Sequence, residues 1–208
     1  MRSALTAAVA ALFVVFLAAC APQYEPGPSR HPNPIIILEL DVSPGVVTLD
    51  PSFGFSLQRG ERGVPRSQRA AGLGRAVAFN LADAMAEYLT GLGYDVIRSD
   101  TAAVEPGGRA LIVSGSFRRI DEGRRRRVGA ENSAVAVDAA IDYQTYGAAP
   151  QRLASFQLDS RQVASAGVAG VSARQGADVK VAAARLGAAI GRYVGDAARL
   201  NKWPAAPR

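Results

Sequence analysis

The alternation of apolar and polar residues between Ser133 and Tyr146 is the feature that most limits how this chain can fold. One side of an extended strand carries Val135, Val137, Ala139, Ile141 and Tyr143, and the other carries Asp138, Asp142 and Gln144. A strand with this pattern has one buried face and one face in contact with water. The chain must therefore supply a second layer that covers the apolar side.

Two amphipathic helices are predicted to supply that layer. They span about residues 68–91 and 178–200, each with apolar side chains three and four positions apart. One strand, residues 35–42, precedes the first helix, and a short strand, residues 94–97, follows it. An antiparallel meander of three strands then leads to the second helix: residues 110–120, 133–146 and 152–163. This order, a β-α-β unit followed by the meander and a last helix, predicts an α+β domain with a mixed, mainly antiparallel sheet and two helices packed on one face.

A row of small residues marks the second helix. Gly187, Gly191 and Gly195 flank its apolar side at a spacing of four residues. Rows of this kind allow a close approach between packed elements. Charged residues on the same helix argue against insertion into a membrane, so we expect close packing of the row against the sheet.

The first twenty residues have the layout of a secretory signal peptide. Arg2 is followed by an uncharged apolar stretch, residues 7–19, which is shorter than the roughly 20 apolar residues of a spanning helix. The ending Leu17-Ala18-Ala19-Cys20 resembles a bacterial lipobox. By that resemblance, cleavage falls between Ala19 and Cys20, and Cys20 receives a diacylglycerol on its thiol and an acyl chain such as palmitate on its new amine. The alternatives are an ordinary signal peptide and an uncleaved anchor.

The lipobox resemblance also implies a location. Ala21 follows Cys20 in place of the aspartate that retains many lipoproteins at the inner membrane, which implies the outer membrane with the domain facing the periplasm. More than one acyl chain is needed for stable anchoring, and a triacylated cysteine supplies that. Because Cys20 is the one cysteine of the chain, no thiol remains for a disulfide. The fold must then be held by its hydrophobic core.

The chain is predicted to contain one domain. Residues 1–19 form the signal peptide, and residues 20–34, which include five prolines, form an extended tether. Residues 35–200, about 170 residues, are enough for one domain with a real core. Residues 201–208 are predicted to be a C-terminal tail.

Residues that commonly carry catalysis are scarce in the predicted domain. The only histidine, His31, lies in the tether, so serine–histidine and cysteine–histidine machinery lacks a base. Asp138 and Asp142 share a strand face but lie about 13 Å apart, beyond the roughly 5–9.5 Å of a glycosidase pair. We expect these acids, and Asp159 on the next strand, to face Arg152 or Arg161. No segment has calcium-loop or phosphate-loop spacing, so no metal, cofactor or enzymatic activity is predicted.

Six arginines fall within ten positions: Arg118, Arg119, Arg124, Arg125, Arg126 and Arg127. The residues between them, Asp121-Glu122-Gly123, are interpreted as a three-residue hairpin loop with Gly123 in the left-handed conformation. That loop would place Arg119 opposite Arg125 and Arg118 opposite Arg126, and like charges in such positions are destabilising. The hairpin tip should therefore project beyond the core, be partly neutralised by neighbouring acids, or face an anion.

Three kinds of partner could in principle bind these arginines: nucleic acid, anionic lipid headgroups and an acidic protein surface. An expected periplasmic location and the lack of interleaved aromatic residues argue against nucleic acid. Anionic lipid headgroups fit the location and the bidentate chemistry of guanidinium groups. An acidic patch on an envelope protein fits as well, and a hydrated tip without a ligand is the remaining alternative.

The region also resembles a bacterial lipoprotein family that is catalogued as domain of unknown function 4410. The resemblance covers roughly residues 70–161 and includes a helix that leads into a strand with a glycine–aromatic start, "GYDV". Its core motif matches at Gly115, Phe117, Ile120, Gly123, Arg127 and the Val128-Gly129 turn, whereas Ala130, Glu131 and Asn132 stand where the family has further glycines. The resemblance implies the envelope compartment and this fold, and it implies no established activity.

Together these features predict a non-enzymatic outer-membrane lipoprotein that serves as a binding or assembly module of the cell envelope. The expected contacts are the membrane, through Cys20, and an envelope protein or anionic headgroups, through the arginine hairpin. Two alternatives stay open at this point. The first alternative is an accessory lipoprotein of an envelope transport system, and the second is a carboxylate-based hydrolase of cell-wall glycans.

Overall fold

The computed structural model describes residues 23–24, 33–50, 64–104, 108–123, 133–165 and 178–203 of the chain. Within these ranges there are seven strands: β1 (Gln23–Tyr24), β2 (Ile35–Leu38), β3 (Val47–Thr48), β4 (Val96–Ser99), β5 (Arg109–Asp121), β6 (Ala134–Thr145) and β7 (Gln151–Asp159). The same ranges contain three helices: α1 (Arg66–Gly91), α2 (Ser160–Ser165) and α3 (Val179–Leu200).

The strands form one mixed sheet in the order β1-β7-β6-β5-β2-β4, with β3 paired to the end of β5. Strands β5, β6 and β7 are antiparallel neighbours, as the predicted meander requires. Strand β2 runs parallel to both β5 and β4, and β3 runs parallel to β5. The structure therefore confirms the α+β class and the mixed, mainly antiparallel sheet.

One large hydrophobic core joins both long helices to alternate residues of β5 and β6. Leu81 of α1 and Leu186 of α3 are fully buried in it, together with Val113 and Ile141 of the sheet. All five apolar residues of the alternating pattern in β6 belong to this core: Val135, Val137, Ala139, Ile141 and Tyr143. Strand β5 alternates likewise, because its intervening residues Ala110 and Ile112 form a separate small cluster with Ile36 of β2.

The ends of the helices follow local sequence signals. The carboxylate of Asp178 accepts the backbone N–H of Lys180 at 2.9 Å, which caps the first turn of α3. Helix α1 ends at Gly91, and Gly93 then adopts the positive φ of 89° that lets the chain turn away. Within the ranges that the structure describes, no helix has the length and apolarity needed to cross a membrane.

The glycine row of α3 packs against helix α1, so the expectation that it packs on the sheet is wrong. A Cβ atom at position 187 would lie 2.1 Å from the carbonyl oxygen of Leu81, and one at position 191 would lie 3.0 Å from the ring of Tyr88. At Gly195 the nearest atom is the Leu92 Cδ1, at 3.0 Å. At Gly187 the two helix backbones therefore approach each other more closely than a side chain permits, whereas Gly191 and Gly195 face the side chains of Tyr88 and Leu92.

The third strand of the meander ends earlier than predicted, at Asp159, and residues 160–165 form helix α2 instead. The Asp159 carboxylate accepts the backbone N–H of Arg161 at 2.9 Å, which starts the helical turn. The buried Ser160 hydroxyl accepts the N–H of Val135 at 3.0 Å, which holds this turn against β6. Phe156 and Leu158 alternate with polar residues in β7, but Ser160, Arg161 and Gln162 interrupt that pattern before Val163, which also packs into the core.

Residues on both sides of the predicted domain take part in the fold. Trp203 lies in the segment predicted as a C-terminal tail, yet it is 4% exposed and stacks on Tyr143 with ring centroids 6.0 Å apart. At the other end, β1 falls within the predicted tether and pairs with β7, and the Asn33 N–H donates to the Arg109 carbonyl at 2.9 Å. The packed unit therefore extends beyond residues 35–200.

Candidate functional site

The structure describes two of the six clustered arginines, and they lie on β5. Arg118 and Arg119 are near the end of that strand. Arg124, Arg125, Arg126 and Arg127 lie outside the described residues, as do the predicted cleavage and lipidation residues Ala19 and Cys20. The described residues therefore form the surface on either side of the arginine-rich segment, up to Gly123 and from Ser133 onward.

The predicted three-residue hairpin loop is wrong. Ile120 pairs with Val135 and Asp121 with Ala134, so the connection between β5 and β6 runs from Glu122 to Ser133. Pairing with Val135 lets Ile120 enter the core, whereas pairing with Arg124 would have placed a charge beside it. Gly123 does adopt the predicted left-handed conformation, with φ of 76°, but as the first part of a longer connection.

A β-bulge positions Arg118 and Arg119. Phe117 and Ile120 are three residues apart, so regular alternation would send them to opposite faces, yet both are buried in the same core. The register shift between Phe117 and Arg119 resolves this conflict by adding one residue to β5. Both arginines are thereby left outside the core.

Each described arginine of this region pairs with an aspartate, in what is here called the arginine–aspartate network. Arg118 Nε lies 2.9 Å from Asp138 Oδ1, and an Arg119 guanidinium nitrogen lies 2.5 Å from Asp159 Oδ2. Arg152 pairs with Asp142, and Arg161 with Asp121 at 3.7 Å. The predicted pairing with Arg152 or Arg161 is confirmed for Asp142. Asp138 and Asp159 instead pair with the first two arginines of the cluster.

The register of the meander explains how Arg119 reaches an acid two strands away. Ala136 of β6 lies between them, opposite Arg119 on one side and opposite Asp159 on the other. Its methyl group is too short to obstruct the arginine side chain. Asp159 therefore binds Arg119 with one carboxylate oxygen and caps α2 with the other.

The ends of the segment that carries the other four arginines are fixed by hydrogen bonds. The Ser133 hydroxyl donates to the Glu122 carbonyl at 2.9 Å, which closes the base of the connection. The Gly123 N–H donates to the Asp121 carboxylate at 2.9 Å. The Glu122 carboxylate accepts the N–H of Asp50 at 2.8 Å, which ties the base to the chain after β3. The connection therefore leaves from, and returns to, a defined point at the end of the β5–β6 ladder.

A polar groove of about 420 Å³ lies beside this network. Its lining comes from β5, β6 and β7 and includes Ser114, Ser116, Asp138, Arg152, Ser155 and Gln157. Among the described residues that line it, Asp138 is the one carboxylate, whereas a two-acid glycosidase mechanism needs a pair. Within the described ranges, no three histidine, cysteine or acidic side chains cluster in a way that would hold a metal ion.

We expect the Arg119–Asp159 pair to contribute measurably to stability. In a double-mutant cycle of Arg119→Ala and Asp159→Asn, chemical denaturation should give a coupling energy of about 1 kcal/mol, because Asp159 is only 20% exposed. Asparagine keeps an oxygen that can cap α2. The matched control is the Arg98–Asp83 pair, whose aspartate is 62% exposed and whose coupling should be about 0.5 kcal/mol or less. Equal coupling energies in the two cycles would contradict the larger contribution to stability that is expected of the Arg119–Asp159 pair.

Comparisons with known proteins do not assign this chain to a family. No family model matches the chain, and no curated protein matches it either. The resemblance to the family of unknown function 4410 therefore rests on the quoted motif residues alone. Among these motif residues, Phe117 and Ile120 are buried on either side of the bulge. Gly123 has a positive φ, a conformation that favours glycine.

Proposed function

We propose that this chain is a non-enzymatic lipoprotein of the outer membrane whose periplasmic domain acts as a binding or assembly module of the cell envelope. The contact surface is the arginine-rich segment between Gly123 and Ser133, and its partner is an anionic headgroup or an acidic patch on an envelope protein. The anchor is the acylated Cys20. The arginine–aspartate network is the observation that carries the assignment of the contact surface.

The network decides which arginines are available to a partner. Arg118, Arg119, Arg152 and Arg161 are balanced one for one by aspartates, so this part of the surface has no excess positive charge. The segment from residue 124 to residue 132 adds four arginines and one acid, Glu131. The excess positive charge of the region is therefore concentrated in Arg124–Arg127. Of the six clustered arginines, we propose that only these four contact the partner, because Arg118 and Arg119 already pair with aspartates.

Guanidinium chemistry suits the proposed partners. Arginine binds phosphate and carboxylate groups through two parallel hydrogen bonds, and it does so at phospholipid headgroups as well as at acidic protein surfaces. Near an anionic membrane surface, each basic residue contributes about 1 kcal/mol of attraction. Support for a binding role over catalysis comes from the three candidate carboxylates, Asp138, Asp142 and Asp159, each of which is engaged by an arginine.

Replacing Arg124–Arg127 by glutamine should abolish most of the contact. A photoreactive amino acid at Asn132 would be crosslinked in intact cells, and lipid and protein adducts would be separated by mass. We expect the adduct yield to fall about tenfold or more, since four cations are removed.

The control for that experiment removes the same charge elsewhere. Arg66, Arg75, Lys180 and Arg192 are exposed on α1 and α3, and their replacement by glutamine lowers the net charge by the same amount. This control should leave the adducts unchanged. If the two quadruple variants crosslink equally, the segment has no specific role, and if neither lipid nor protein adducts form in the parent protein, the proposed contact is absent.

A further inference from the structure

Strand β4 forms an outer edge of the sheet with hydrogen-bonding groups that no other described strand uses. The Ile35 N–H donates to the Asp95 carbonyl at 2.8 Å, and the Glu39 N–H donates to the Ser99 carbonyl at 3.1 Å. Odd-numbered residues of β4 therefore point their backbone groups toward β2. By alternation, the N–H and C=O groups of Val96 and Arg98 point away from the sheet. Four backbone groups are thus presented at an edge where another strand can pair.

A groove of about 240 Å³ runs between this edge and helix α1. Its floor on the helix is formed by Ala78 and Ala82, one turn apart, whose small side chains leave room above them. Phe79 stands at its side and is 58% exposed, while Ile97 on the other face of β4 is 46% exposed. An exposed aromatic side chain in a groove beside an open strand edge, as Phe79 is here, offers an apolar contact to a bound segment.

The charges around the groove indicate what kind of segment fits it. Arg98 is already engaged, because its guanidinium lies 4.4 Å from the centre of the Phe79 ring and pairs with Asp83 at 3.1 Å. Glu39 and Asp100 also line the groove, and among the described residues neither has an ion-pair partner. The local balance is therefore negative, although the whole chain has a net charge of +6.

We propose that β4 and the adjacent groove bind an extended segment of a partner protein that adds to the sheet as a further strand. The backbone of that segment pairs with Val96 and Arg98, an apolar side chain enters the groove beside Phe79, and flanking lysine or arginine side chains reach Glu39 and Asp100. Main-chain pairing gives affinity in this mode of recognition, and the pocket and charges give specificity. The proposal concerns a surface other than the arginine-rich segment and does not depend on the lipid anchor.

A synthetic peptide tests this directly. The probe is the labelled heptapeptide Lys-Lys-Val-Ile-Val-Lys-Lys, titrated against the full chain in detergent with fluorescence anisotropy as the readout. Hydrogen–deuterium exchange should show slower exchange of the Val96 and Arg98 amides when the peptide is bound. A peptide with glutamate in place of lysine should bind about tenfold more weakly or worse. A peptide with its three central amides N-methylated should not bind.

Two variants of the protein are matched by two controls. Phe79→Ser and the pair Glu39→Gln/Asp100→Asn should each raise the Kd about fivefold or more. Thermal unfolding should be unchanged in the acidic pair, whose side chains are exposed, and loss of the Arg98 contact should lower the Tm of Phe79→Ser by no more than about 4 °C. The controls should change the Kd about twofold or less. They are Tyr146→Ser, which removes an aromatic ring that is 55% exposed in the turn after β6, and the pair Glu87→Gln/Asp95→Asn.

The proposal is overturned by any of four results. The first is equal binding of the N-methylated peptide. The second is equal weakening of binding by the control variants. The third is no binding of the lysine peptide at concentrations up to about 1 mM. The fourth is a dimer of the full chain that Phe79→Ser disperses, since the occupant of the edge would then be a second copy of this chain.

Discussion

Gly187→Ala should lower the free energy of unfolding by about 2–3 kcal/mol, which corresponds to a fall in Tm of roughly 4–12 °C. The added Cβ would lie 2.1 Å from the Leu81 carbonyl oxygen and 3.0 Å from its carbonyl carbon. Both atoms belong to the backbone of α1, so the strain is relieved only if the two helices move apart. The usual gain of about 0.5–1 kcal/mol from glycine to alanine in a helix does not offset this loss.

The other glycines of the two helices provide a graded set of controls. A Cβ at Gly72 meets nothing within 4 Å, so Gly72→Ala should stabilise α1 by about 0.5–1 kcal/mol. Gly195→Ala meets only the end of the Leu92 side chain, and Gly191→Ala meets the ring and Cβ of Tyr88. Thermal unfolding followed by circular dichroism should therefore rank the losses as Gly187 first, then Gly191, then Gly195. A Gly187→Ala protein as stable as the parent would contradict the close contact between α1 and α3.

Cys20→Ala should remove the lipid anchor completely. The substitution deletes the chain's one thiol, so incorporation of labelled palmitate in growing cells should fall to background, and cleavage between residues 19 and 20 should cease. Stable anchoring of a lipoprotein depends on more than one acyl chain, each held by about 0.8 kcal/mol per buried CH₂ group. Without them the domain should be absent from the outer-membrane fraction.

Ala21→Asp is the matched control for that experiment. It leaves Cys20 in place, so the protein should still incorporate palmitate and should still be cleaved. Because an aspartate after the lipidated cysteine resembles the inner-membrane retention signal, the protein should move to the inner-membrane fraction. Palmitate in the Cys20→Ala protein, or no change in location for Ala21→Asp, would contradict the proposed processing.

Much of the fold could be predicted because local patterns dominate it. The alternation in β6 and the three- and four-residue spacings in α1 and α3 place most core residues correctly, whereas Leu92, at the end of the predicted apolar row of α1, is 42% exposed. The predicted positive φ of Gly123 is confirmed, because glycine tolerates that conformation without steric cost. These features depend on a few neighbouring residues and on no distant partner.

The errors arose where distant partners decide the outcome. Asp121-Glu122-Gly123 has the composition of a tight turn, but the burial of Ile120 against Val135 sets a register with a longer connection. The glycine row predicts that another element packs closely against α3, but the pattern does not reveal that this element is α1. Helix α2 depends on Asp159 and Ser160, whose side chains act on backbone groups both near in sequence and on β6.

The candidate site was only partly predictable for the same reason. The pairing of Asp142 with Arg152 follows from the strand order, whereas that of Arg119 with Asp159 requires the bulge after Phe117 and the small Ala136 between them. The spacing of Phe117 and Ile120, three residues apart and both apolar, was the available signal for that bulge. The edge position of β4, and hence its groove, depends on the order of strands in the whole sheet, which no local pattern reveals.

Mass spectrometry of the N-terminal peptide of the protein purified from membranes tests the proposed envelope role most directly. Processing at the lipobox should give a peptide that begins at Cys20 and carries the mass of a diacylglyceryl group on sulfur and one acyl chain on the amine. An N-terminus at Met1, or a cleaved N-terminus with an unmodified Cys20, would contradict it.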